Sequence, residues 1–207
     1  IRRQRQMCIR DSSYSAEDMA AAVTRVYRED PALVPKEPLA SVNMYSGTGA
    51  QRLYEISINY GMTSDELDAR TAQLQAVDAF AELDTSGMSE AELAYAACEY
   101  LMEHCTVSED KSENTAYAAL VGGRANSEGT ALAYIVLCRE LGVDCRIVYG
   151  QEDWIEHCWN IVRIDGSYYH VDITAAIEDG AEAGFLMNDE MAWGHYRWDV
   201  SSYPKCS

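Results

Sequence analysis

Two alternating runs joined by Asp165-Gly166 constrain the chain more than any other feature. His157 to Ile164 and Tyr168 to Thr174 flank this pair, and Asp-Gly between such runs is a strong signal for a tight hairpin. Ile164 then pairs with Ser167. Counting outward, Trp159 faces Asp172 and His157 faces Thr174. Side chains two apart share a face, so His157 and Asp172 are expected as diagonal neighbours within reach of a contact. An aspartate accepting from one imidazole nitrogen fixes the tautomer and leaves the other nitrogen for proton transfer. The same contact also suits a histidine and an aspartate that merely satisfy each other.

Asp144 to Tyr149 reads as a third strand. Ser127 to Leu141 reads as a helix, with Leu132, Ile135, Val136 and Leu137 inside and Gly142 ending it. The start of a helix offers unpaired N–H groups and a positive dipole end, which favour an anion or an oxyanion. Ser127 occupies that place in Arg124-Ala125-Asn126-Ser127-Glu128-Gly129. Taken alone, it reads first as an N-cap.

The first half is more helical. Ser15-Ala16-Glu17-Asp18 and Ser89-x-x-Glu92 resemble helix starts, as does Thr63-x-x-Glu66. Leu67, Leu74, Val77, Phe80 and Leu83 continue a helical stripe, so a helical pair is expected over 64–105. The Pro-rich stretch 31–38 reads as a loop, and Leu53 to Tyr60 as a strand. The composition shifts near residue 112. The expected division is therefore a helical region with one strand over 13–111 and a mixed core over 112–207. Residues 1–12 carry four arginines against one acid and read as a tail or an assembly scar, with no apolar stretch of the kind found in a signal peptide.

Charge narrows the partners. The net charge is −18, and without the first 12 residues 12 basic groups face 33 acidic ones, or −21. Such a chain repels phosphate backbones, so no nucleic-acid partner is expected. No run of 18 apolar residues exists, so no membrane-spanning segment is expected either. The seven cysteines form no CxxC pair and no zinc spacing. They read as buried free thiols for the most part, with the redox compartment open. No cofactor or metal is expected, and His104, His170 and His195 read as structural.

Ordered along the chain, these pieces resemble the transglutaminase-like superfamily, of papain-like cysteine-hydrolase fold. Ser127-Glu128-Gly129 stands where bacterial members have Cys-Glu-Gly. His157-Cys158-Trp159-Asn160 stands for His-Ala-Trp-Asn, and Asp165 to Thr174 for an Asp-Gly turn followed by Trp-Tyr, His-Val-Asp and Thr. Ala116-Tyr117-x-Ala119-Leu120-Val121, Phe185-Leu186-Met187 and His195-x-x-Trp198 also match. The resemblance covers about 113–200. It implies an α+β fold, with a nucleophile helix packed on an antiparallel sheet and a helical region before it. It implies Ser127 at the nucleophile position, His157 as general base and Asp172 as its orienting residue. Tyr117, Trp159 and His170 would line the substrate cleft. It further implies acyl transfer on peptide or protein amides by a thioacyl route, protein or peptide partners, and an exported or envelope setting.

Three departures bear on activity. Ser127 replaces the cysteine, Thr130 stands where an aromatic is usual, and Ala175-Ala176 replace Trp-Asp. Cys158 lies on the opposite strand face from His157, so it is not expected to substitute. A cysteine beside an imidazolium at a helix start ionises well below ~8.5, whereas a serine hydroxyl does not. The expectation is a degenerate site kept for binding. The alternatives are a working Ser127-His157-Asp172 hydrolase, or an active enzyme silenced by an introduced Cys-to-Ser change.

Overall fold

Helix starts follow the capping patterns of the sequence. The Ser15 hydroxyl accepts from the Asp18 N–H while the Asp18 carboxylate accepts from the Ser15 N–H, and Ser89 and Glu92 repeat the arrangement. The computed structural model describes residues 3–9, 15–46, 52–81 and 83–207. It divides into two units, 1–72 and 73–207.

The first unit contains β1 (Arg3–Ile9), α1 (Ala16–Glu29), β2 (Leu39–Ser46) and β3 (Arg52–Asn59), and α2 (Ser64–Gln75) runs across its end. The strands form an antiparallel sheet in the order β1-β3-β2, and α1 lies against β2. Residues 3–9, set aside as a tail, are thus a paired strand. The rest of that segment lies outside the described residues. Three strands stand where one was expected. β2 gives little warning: Ala40, Val42 and Met44 share one face, but Leu39 and Tyr45 stand among Ser41 and Asn43 on the other and blur the alternation. The stripe through Val77 and Phe80 does not extend α2. The helix tightens into i→i−3 bonds from Ala76 to Gln73 and from Val77 to Leu74, both 3.3 Å, and stops.

The second unit follows in order: α3 (Glu90–His104), β4 (Thr106–Val107), α4 (Ala116–Leu120), β5 (Arg124–Ala125), α5 (Ser127–Glu140), β6 (Asp144–Glu152), β7 (Ile155–Ile164), β8 (Ser167–Val171), α6 (Ile173–Asp179), α7 (Ala181–Gly184), α8 (Asp189–Ala192) and β9 (Tyr196–Arg197). Four antiparallel strands run β8-β7-β6-β9, and β4 pairs with β5 in parallel. The expected pairing of Ile164 with Ser167 is present.

α5 is apolar on nearly every side, as a helix must be when elements surround it. Leu132, Tyr134, Leu137 and Cys138 are fully buried, and α3, α4, α6, β6 and β7 pack around it. Two side-chain bonds fix its place. Tyr134 O–H donates to the Ala94 carbonyl of α3 at 3.0 Å, and Asn160 Nδ2 of β7 donates to the Ala131 carbonyl at 3.0 Å. The first bond explains why α3 belongs with this unit, and why the chain divides at 72 rather than near 112. Cys98, Cys105, Cys138 and Cys206 are buried free thiols, and Cys145 and Cys158 are partly buried. Among the described residues no helix is long and apolar enough to cross a membrane.

Candidate active site

The N-cap of α5 is Asn126, not Ser127. Asn126 Oδ1 accepts from the Gly129 N–H at 3.1 Å, which releases the Ser127 hydroxyl from capping. Ser127 Oγ instead accepts from the backbone N–H of Cys158 at 3.3 Å, the residue after His157. Glu128 clamps the same helix start to the sheet. Its carboxylate accepts from Tyr149 O–H at 3.1 Å and from Asn114 Nδ2 at 3.0 Å. Gly129 completes the Ser-Glu-Gly motif for a steric reason: a Cβ there would lie 2.7 Å from the Glu113 carbonyl oxygen and 2.7 Å from Ala125 Cβ. Gly129→Ala is expected to cost about 1–3 kcal/mol, as overpacking against backbone does. A fall in the urea midpoint at unchanged slope measures it.

β8 ends at Val171, three residues before the expected end. Asp172 leaves the ladder because its side chain caps α6. Oδ1 accepts from the N–H groups of Thr174 and Ala175, at 2.9 and 3.2 Å. Oδ2 accepts from His157 Nε2 at 2.6 Å and from Tyr196 O–H at 2.8 Å. Asp172 is completely buried, and the His157 side chain is 9% exposed. A carboxylate only accepts, so Nε2 carries the proton and Nδ1 is left as the other ring nitrogen. Burial pulls the His157 pKa down, but the Asp172 bond and the charges of Asp172, Glu152 and Glu178 outweigh it, leaving it above the ordinary 6.5.

The residues expected along a cleft are arranged differently. Trp159 and His170 are fully buried. Trp159 Nε1 donates to His170 Nδ1 at 3.0 Å, and His170 Nε2 meets Asp189 Oδ1 at 3.0 Å. They back the site from behind and offer a substrate no surface. Tyr117 is half-buried, and its hydroxyl donates to Gln73 Oε1 at 2.7 Å. The departures from the family pattern are packed in. Thr130 donates to the Ser127 carbonyl at 3.1 Å and lies 3.3 Å from the Thr174 hydroxyl. Ala176 is fully buried in the first turns of α6.

Among the described residues, two groups hold ligand-type atoms within 4.8 Å of one another: His170, Asp189 and Cys206, and Glu152, His157 and Asp172. In the first, Trp159 can only donate, so His170 keeps its proton on Nε2 and has no lone pair there for a metal. Burial also pulls His170 below its ordinary pKa. In the second, the Asp172 oxygen is already shared by His157 and Tyr196. Tyr196 and Glu152 were not singled out in the sequence. β9 is two residues long, with no periodicity to read.

A helix start bonded to the backbone N–H that follows the histidine of a histidine–carboxylate pair, on an antiparallel sheet, fits an α+β core of the papain-like type. Residues 78–173 match the family model of the transglutaminase-like superfamily. No curated protein matches the chain. Solved structures that are similar include a candidate cysteine protease from Cytophaga hutchinsonii, at 13% identity and TM-score 0.42 over 65% of this chain and 62% of that one. A structure described as a TGase is 12% identical, with TM-score 0.43, over 98% of this chain and 55% of that one. A candidate protease from Parabacteroides distasonis is 10% identical, with TM-score 0.36, over 65% and 39%. The chain therefore spans less than two thirds of each of these proteins.

Proposed function

We propose that the domain has the scaffold of an acyl-transfer enzyme for peptide or protein amides, and that Ser127 leaves it inactive or strongly impaired. Ser127 takes the nucleophile position, His157 the base position and Asp172 the orienting position. The observation that carries this reading is the 2.6 Å His157–Asp172 bond beside a helix-start hydroxyl held on the Cys158 N–H.

In the thiol version of this chemistry, a thiolate attacks the amide carbonyl and the carbonyl electrons move onto oxygen. The imidazolium gives its proton to the departing amine, and an amine or water then resolves the thioester. A hydroxyl has to lose its proton to Nδ1 as it attacks. The raised pKa of His157 works against that step, because the more tightly the ring holds a proton, the smaller the fraction free to accept one. The same protonated ring would suit a thiolate partner. What remains to such a site is recognition of a protein or peptide ligand.

Amine incorporation and amide hydrolysis, assayed on the unaltered chain and on Ser127→Ala, test this. The expected result is no turnover above the Ser127→Ala background. Hydrolysis by the unaltered chain that disappears in Ser127→Ala would overturn the reading and establish a serine-dependent enzyme.

A further inference from the structure

The edge strand β9 brings a hydroxyl to the histidine–carboxylate pair from outside the matched residues 78–173. Tyr196 is buried, 6% exposed. Its ring centroid lies 6.1 Å from that of His157 and 5.1 Å from that of Trp159. Its cross-strand partner in β6 is Glu152. β9 comes this close because Gly150 has no side chain: a Cβ there would strike the Arg197 carbonyl and the Trp159 ring. Tyr196 O–H donates to Asp172 Oδ2 at 2.8 Å, the oxygen that His157 Nε2–H meets at 2.6 Å. The Glu152 carboxylate stands 3.7 Å from the same nitrogen.

We propose that Tyr196 and Glu152 are positioning residues that set the proton affinity of His157 in opposite directions. A carboxylate oxygen shared between two donors gives each of them less charge than it gives one alone. The phenol therefore draws on Oδ2 and weakens Asp172 as a partner for the imidazolium. Glu152 adds a second negative charge near Nε2 and strengthens the protonated ring. The groups facing His157 are Asp172 and Glu178 from α6 and its cap, Glu152 from β6, and Tyr196 from β9. Burial of the Tyr196 hydroxyl and the charges of Asp172 and Glu152 raise its own pKa, so it remains a donor throughout the range in which His157 titrates. The inference rests on His157 as the proton-transfer group of the proposed function.

NMR titration of the imidazole rings in the full chain, with Ser127 in place, reads the effect without any turnover. The chain has four histidines, and loss of one signal in His157→Gln assigns the relevant ring. Tyr196→Phe is expected to raise the His157 midpoint and Glu152→Gln to lower it, each by about 0.5 unit or more. Simple loosening of the site would admit water and move both midpoints down, towards the ordinary value. A Tyr196→Phe midpoint that falls or stays in place overturns the proposal, as does an unmoved midpoint in Glu152→Gln. A separate alkylation measurement on Ser127→Cys tests the proposed function. If that thiol is sluggish while the two midpoints part in opposite directions, the function fails and the positioning roles stand.

Discussion

Ser127→Cys is expected to create the fastest-alkylating thiol in the chain. Position 127 is the first residue of a 14-residue helix, where the dipole favours an anion. The Cys158 N–H already points at the side-chain atom there. His157, with its raised proton affinity, favours an imidazolium beside it. All three favour the thiolate. The native cysteines are in the opposite situation. Burial pushes Cys98 and Cys206 up to about 12 and Cys105 up to about 11. At pH 7 a thiol of pKa 12 is ionised to roughly one part in 10⁵, against about half for one near 7. Intrinsic nucleophilicity falls as pKa falls and returns about two decades of that difference. A rate advantage of at least about 100-fold over these buried thiols is therefore expected. Iodoacetamide labelling at pH 7, followed peptide by peptide in a mass spectrometer, measures it. His157→Ala in the same background should slow position 127 and leave the other cysteines unchanged. A thiol at 127 that reacts no faster than Cys158 would mean that the site has lost more than its nucleophile.

The hairpin was legible because its information is local. Asp165-Gly166 fixes the turn, the turn fixes the register, and the register brings His157 beside Asp172. The start of α5 was legible for the same reason. The errors lie where tertiary packing decides. Alternation places Asp172 in the strand, but capping α6 satisfies two N–H groups that an extended chain would leave to other partners. Trp159 shares a strand face with His157, and alternation cannot say what covers a face. Here the C-terminal segment does, through Tyr196 and Trp198. Tyr196 is 24 residues from Asp172 along the chain, and only folding brings its hydroxyl to that carboxylate. The division at 72 was hidden because α3 carries the same helical pattern whichever unit it packs with.

Asp172→Ala is expected to be among the most damaging single changes in the second unit. Its carboxylate is completely buried and serves four donors: His157 Nε2, Tyr196 O–H and the N–H groups of Thr174 and Ala175. Alanine leaves all four without their acceptor and removes the cap of α6. Breaking a buried charged pair by deleting one partner costs about 3–5 kcal/mol, and the orphaned cap lies within that range of effects. The loss should also depend on pH. In the unaltered chain the His157 pKa lies above its ordinary 6.5, so the folded state binds the proton more tightly than the unfolded one. The resulting stabilisation is complete below about 6.5 and disappears as pH rises through the folded value. Without Asp172 the largest upward influence on the ring is gone, and burial, which lowers its pKa, is opposed only by the charges of Glu152 and Glu178. Stability linked to this ring should then fall less with rising pH through the same window than it does in the unaltered chain. Urea midpoints of the two chains between pH 5.5 and 8.5 should therefore be farthest apart at the acid end and converge towards the alkaline end. A gap that stays constant across this range would mean that His157 binds its proton no more tightly in the folded chain than in the unfolded one. The 2.6 Å contact would then be a hydrogen bond of a neutral ring, without the charge that the proposed chemistry uses.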